Sequence, residues 1–138
     1  MPNVFTVASA NRTLPLVRRI VADLVRDYGR WQQQLAAFEV AGAVTESARE
    51  PATLALQREV QMLAAQIEEY VNELTSLGAE AREPYDSGLV DFPGEIDGRP
   101  IYLCWRLGES SIEYWHEIAA GFAGRQPIHL LPASVDTP

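Results

Sequence analysis

Two stretches of this chain repeat large apolar side chains at one spacing, and that repeat limits what the chain can fold into more than any other feature. Val17, Val21, Leu24, Tyr28, Trp31, Leu35 and Phe38 follow at intervals of 4, 3, 4, 3, 4 and 3 residues, and Leu56, Val60, Leu63, Ile67, Tyr70, Leu74 and Leu77 do the same. Alternating steps of three and four place all seven groups on one stripe of an α-helix. Each stretch covers 22 residues, or about 33 Å of helix. Pro15 and Pro51 suit a first helical turn, where the missing amide costs nothing. Thr13 offers a capping hydroxyl for the first helix, and Gly78 a stop for the second. Residues 41–50 carry no period and form the connection, which at that length favours antiparallel neighbours. Val17 then lies near Leu77, Leu24 across from Tyr70, and Phe38 near Leu56. Val25 and Val71 widen the stripe on one side, where a third layer docks most easily. Ile20, Asp27, Gln66 and Glu73 flank it on the other.

Beyond Gly78 the pattern changes. Gly88 to Pro93 (GLVDFP) and Arg99 to Trp105 (RPIYLCW) are rich in strand formers. The Asp97-Gly98 pair between them is a hairpin turn signal. Alternation sends Ile101, Leu103 and Trp105 to one face, and Tyr102 and Cys104 to the other. An isolated two-stranded ribbon is marginal in water, so this one needs the helices as a platform. Ser110 or Ser111 then caps an expected third helix running to about Ala120, with Ile112, Trp115, Ala119 and Phe122 on its buried face. The predicted fold is α+β and mostly α: a long antiparallel, coiled-coil-like helical hairpin carrying a small antiparallel β-ribbon and a short third helix. Residues 1–128 form one domain, and 129–138 a tail.

The chain has 138 residues, and 47% of them are hydrophobic, enough for one packed core. No apolar run reaches the length of a membrane span, and no secretory signal opens the chain, so a cytoplasmic setting without membrane contact is expected. The formal charge of -8 repels phosphate backbones, and the lone Arg18-Arg19 pair makes no basic patch, which argues against nucleic acid. Every basic residue is Arg, which excludes a Schiff-base lysine and a P-loop lysine. Cys104 is the single cysteine, so an intramolecular disulfide and a zinc site of several thiolates are excluded.

The C-terminal half also carries long, specific motifs. The runs GLVDFP, DG, IYLCWRLGE, IEYWHE and GFAGRQPI, with the opening FTVASANRTLPLV, resemble an uncharacterised bacterial family, domain of unknown function 2203. The resemblance extends from Phe5 to Ile128. It implies that Glu109, Trp115, His116 and Glu117 belong to the family pattern, while Ser110 and Glu113 stand where members differ. It implies no established activity.

The chemistry rests on His116. On a helix, Glu113 and His116 point the same way, and Glu-x-x-His is how four-helix carboxylate proteins present ligands to iron or manganese. Glu109 lies one turn before Glu113. Glu69 and Glu73 form a second carboxylate pair, on the second helix. The expected ligand set is therefore His116 with Glu113, Glu109, Glu73 and Glu69, and iron is the favoured ion. The plainer alternatives are a hydrogen-bonded core histidine and a solvated carboxylate face. Cys104, in an apolar strand, is expected to be inert, and Arg125 to pair with Asp91 or Glu117. No nucleophile with a neighbouring base can be named, so enzymatic activity stays open. The other function class is a non-enzymatic scaffold or adaptor that self-associates as a homodimer. A dimer would form a four-helix bundle and supply a second Glu-x-x-His.

Overall fold

The computed structural model describes residues 4–44 and 50–130. Two helices come first, α1 (Val7–Val44) and α2 (Pro51–Ser76). Five strands follow: β1 (Glu80–Ala81), β2 (Leu89–Ile96), β3 (Arg99–Arg106), β4 (Tyr114–Glu117) and β5 (Gln126–Pro127). They form one sheet in chain order, every neighbour antiparallel. The architecture is α+β and mostly α. No helix among the described residues is long and apolar enough to cross a membrane.

Helix α1 starts earlier than the apolar repeat predicts. The Thr6 hydroxyl accepts the Ser9 amide at 3.0 Å, and the Ser9 hydroxyl accepts the Thr6 amide at 2.9 Å. This reciprocal cap satisfies two orphan donors at the true start. Thr13 is therefore no cap: its hydroxyl donates back to the Ala10 carbonyl. Pro15 sits inside the helix at a cost of about 3 kcal/mol. Burial of Ala10 and Leu14 on the added turns offsets that cost. Helix α2 begins at Pro51, as its sequence predicts, and ends at Ser76, with Gly78 closing the turn after it. There the Gly78 amide donates to Thr75 O, the Ala79 amide donates to Leu74 O, and the glycine has φ +89°. This is a Schellman stop, closed by contact of the buried Leu74 and Ala79.

The two helices lie against each other along the paired stripes. Tyr70 donates to Asp27 at 2.8 Å, and Gln34 to Glu59 at 2.8 Å, so partner numbers fall along α2 as they rise along α1. Asp27, expected at the flank of the stripe, is buried, and Arg26 and Arg30 compensate its charge.

The sheet is larger than the expected ribbon, and it replaces the expected third helix. Residues 114–117 pair with β3, Tyr102 opposite His116 and Leu103 opposite Trp115. The spacing of Ile112 and Trp115 suits a helix, but the consecutive aromatics Tyr114 and Trp115 fit a pleated surface better. Ala119 and Phe122 of the expected helical face are exposed. The Asp97-Gly98 turn forms as read, with φ +50° and +79°, the values a two-residue hairpin loop requires.

One face of the sheet packs on the helices. Val90, Phe92, Ile101, Leu103, Trp105 and Trp115 join Val17, Val21, Leu24 and Leu74 in a single core. Asp91, Tyr102, Cys104 and His116 alternate with these residues and lie on the opposite face. Leu131 and the rest of the expected tail lie outside the described residues.

Candidate metal centre

Three neighbouring strands deliver three donor groups to one place. Asp91 on β2 is the direct partner of Cys104 on β3. His116 on β4 is paired with Tyr102, two residues before Cys104 on the same face. Asp91, Cys104 and His116 are all buried, and their donor atoms lie within 4.8 Å of one another. An ion with ligand bonds of about 2.0–2.3 Å needs its donors roughly 3.3–3.8 Å apart, somewhat closer than the 4.8 Å limit within which these lie.

The hydrogen bonds around His116 leave a charge to be accounted for. Its Nδ1 lies 2.7 Å from the Glu117 carbonyl oxygen, and its Nε2 lies 2.9 Å from Asp91 Oδ1. A carbonyl only accepts, so Nδ1 carries hydrogen. A neutral ring would then turn the Nε2 lone pair toward an ionised carboxylate, acceptor against acceptor. One positive species, a proton or a metal ion, satisfies that contact. The Nδ1–H bond to a backbone carbonyl is also the usual way a ligating histidine is fixed in orientation.

Arg82 donates from Nε to Asp91 Oδ2 at 2.6 Å and lies 3.4 Å from Glu80. It leaves Asp91 Oδ1 on the His116 side. Arg125 donates to Cys104 Sγ at 3.4 Å and grips Glu109 with two bonds of 2.6 and 2.8 Å. Tyr114 and Phe122 lie under its guanidinium. The pairing of Arg125 is thus with Glu109, not with Asp91 or Glu117. Glu117 instead pairs with Arg99 at 2.6 Å. Burial pushes the Cys104 thiol up to about 11, so without a bound cation it stays protonated at neutral pH.

The carboxylates expected around His116 lie elsewhere, and the carboxylate beside it is Asp91, which was not expected there. Glu113 is exposed and accepts from Ser111. It precedes strand β4 rather than lying on a helix with His116, so the expected alignment of residues three apart is absent. Glu109 is held by Arg125 and by the Arg106 amide, which keep its carboxyl below the usual range against the opposing effect of burial. Glu69 and Glu73 line a shallow surface hollow of α2 with Asn72 and Ser76. The helices pack on the other face of the sheet, so that hollow is far from His116. Asp91 and Cys104 were legible as strand residues but not as candidate ligands. Their signal was a polar or sulfur group at alternate positions of strands whose other face is mostly apolar.

A cleft of about 490 Å³ opens over the cluster, lined by Asp91, Cys104 and His116 at its base. Arg82, Glu83 and Tyr102 are its polar lining, and Leu89, Ile118 and Phe122 its apolar lining.

A family model described as "Uncharacterized conserved protein (DUF2203)" matches residues 3–128. No curated protein matches the chain, and no solved structure matches it.

Proposed function

The chain belongs to the DUF2203 family of uncharacterized conserved proteins, and for this member we propose binding of one divalent transition-metal ion by His116 Nε2, Cys104 Sγ and an Asp91 carboxylate oxygen. The observation that supports this reading is the buried contact of His116 Nε2 with Asp91 Oδ1, which requires one positive species between them, with a thiol beside it. Imidazole, thiolate and carboxylate together suit zinc, iron(II) or cobalt(II). Iron was favoured by the Glu-x-x-His pattern. With a thiolate in its place, zinc is the better match. Three protein donors leave a fourth position for an exogenous ligand, the arrangement of a reactive rather than a purely structural site. One chain supplies all three donors, so the centre does not require a homodimer.

The charges around the ion are compatible with this role. Thiolate and Asp91 oppose the ion. Arg82 is paired with Glu80 as well as Asp91, and Arg125 is neutralised by Glu109. Metal content of untagged protein tests the proposal. About one zinc or iron per chain is expected, lost in His116→Ala and in Cys104→Ser. Cobalt(II) added to metal-free protein should give a near-ultraviolet thiolate charge-transfer band that Cys104→Ser removes. Protein that is purified without metal and gives no such band ends this reading.

A further inference from the structure

The cleft above the cluster indicates what the fourth coordination position takes. Its polar lining offers Arg82, whose guanidinium reaches Asp91 and Glu80 through Nε and one terminal nitrogen and lies 4.7 Å over the Tyr102 ring. Two of its apolar residues are uncovered: Ile118 is 49% and Phe122 is 40% exposed. The Phe122 ring is held in place by Arg106 and Arg125, 5.6 and 4.6 Å from its centre. A volume of about 490 Å³ lies within the range of small-molecule sites. A guanidinium and uncovered apolar side chains around the three candidate donors make the cleft amphiphilic.

Resting on the metal reading above, we propose that this cleft binds a small organic anion whose oxyanion group occupies the fourth metal position beside Arg82 and whose apolar body covers Ile118 and Phe122. Carboxylate and phosphate share the chemistry that the metal and the guanidinium recognise. The exposed apolar side chains select against bare inorganic anions, because only an organic body gains by covering them. The metal ion and Arg82 select against neutral analogues of the same shape.

Cobalt-loaded protein provides the test, with its visible ligand-field bands as the readout. The probes are 3-phenylpropionate, phenyl phosphate, acetate, inorganic phosphate and 3-phenylpropanamide. At least one of the two phenyl anions should shift the bands and bind about tenfold or more tightly than its inorganic or acetate counterpart. Whichever phenyl anion binds identifies the oxyanion. The neutral amide should bind about tenfold more weakly still. Ile118→Ser should keep the cobalt spectrum and reduce the advantage of the phenyl anions. Arg82→Gln should weaken whichever phenyl anion binds. If Arg82→Gln fails to take up cobalt, Ile118→Ser and the amide still decide. Bands that no probe moves, or acetate binding as tightly as 3-phenylpropionate and phosphate as tightly as phenyl phosphate, overturn this inference and leave the metal reading standing. Protein that takes up no cobalt overturns the metal reading itself.

Discussion

At the scale of single residues, polar groups define the unusual places in this chain. Asp27 is buried between two helices and depends on Arg26, Tyr70 and Arg30. The Arg26 hydrogen bond is the main reason its carboxyl is held below the ordinary value, and burial opposes it. The unfolded chain therefore takes up the Asp27 proton first as pH falls. Stability from this residue is complete above the ordinary carboxylate value of 3.8 and is lost as pH falls through the lower folded value. Asp27→Asn should remove that part of the acid sensitivity, and urea midpoints measured from pH 6 to pH 2 would check it. A variant with an unchanged acid slope would show that Asp27 adds nothing to it. The Asp91, Cys104 and His116 cluster was harder to read from residues alone. His116 stood out because histidine is scarce here. Its neighbours did not, because they depend on which strands pair. A wrong period at residues 112–119 placed His116 on a helix beside Glu113 rather than on a strand beside Cys104.

At the scale of elements, the termini decide where the helices stop, and the repeats decide how they pair. Both heptad stretches were visible because their apolar groups are large and regularly spaced. The start of α1 was not, since Thr6 and Ser9 lack the acidic third residue that usually signals such a cap. The stop of α2 was legible in Gly78 alone. Its φ of +89° is a conformation that a side chain makes costly, by about 1–2 kcal/mol. Gly78→Ala should lower the stability of the chain by about that amount, measured by chemical denaturation with the helical signal. An unchanged midpoint would mean that the turn between α2 and β1 tolerates other backbone angles.

For the whole molecule, the core is one cluster, but it does not span the full length of the helices. The sheet, the early half of α1 and the later half of α2 share it, from Phe5 through Trp115. Leu35, Phe38, Leu56 and Val60 near the far ends are only half-buried and lie outside that cluster. Amide hydrogen exchange should show two classes. Residues 17–24 and the central strands should exchange only by global unfolding, and residues 35–42 and 52–58 through a cheaper local opening. Uniform protection along both helices would mean that the paired ends are as firmly held as the core. The α+β class was legible because it follows from two helical repeats and a strand-rich half. The five-stranded sheet was not. Its two edge strands are two residues long and leave almost no local pattern.

The hairpin of β2 and β3 turns six residues beyond Asp91 and six before Cys104, at Asp97 and Gly98. The donor atoms therefore sit partway along a stiff ladder whose tip points away from them. That tip is the natural splice point for a fluorescent reporter or an affinity handle, because a longer bend there leaves the spacing of all three donors as it is.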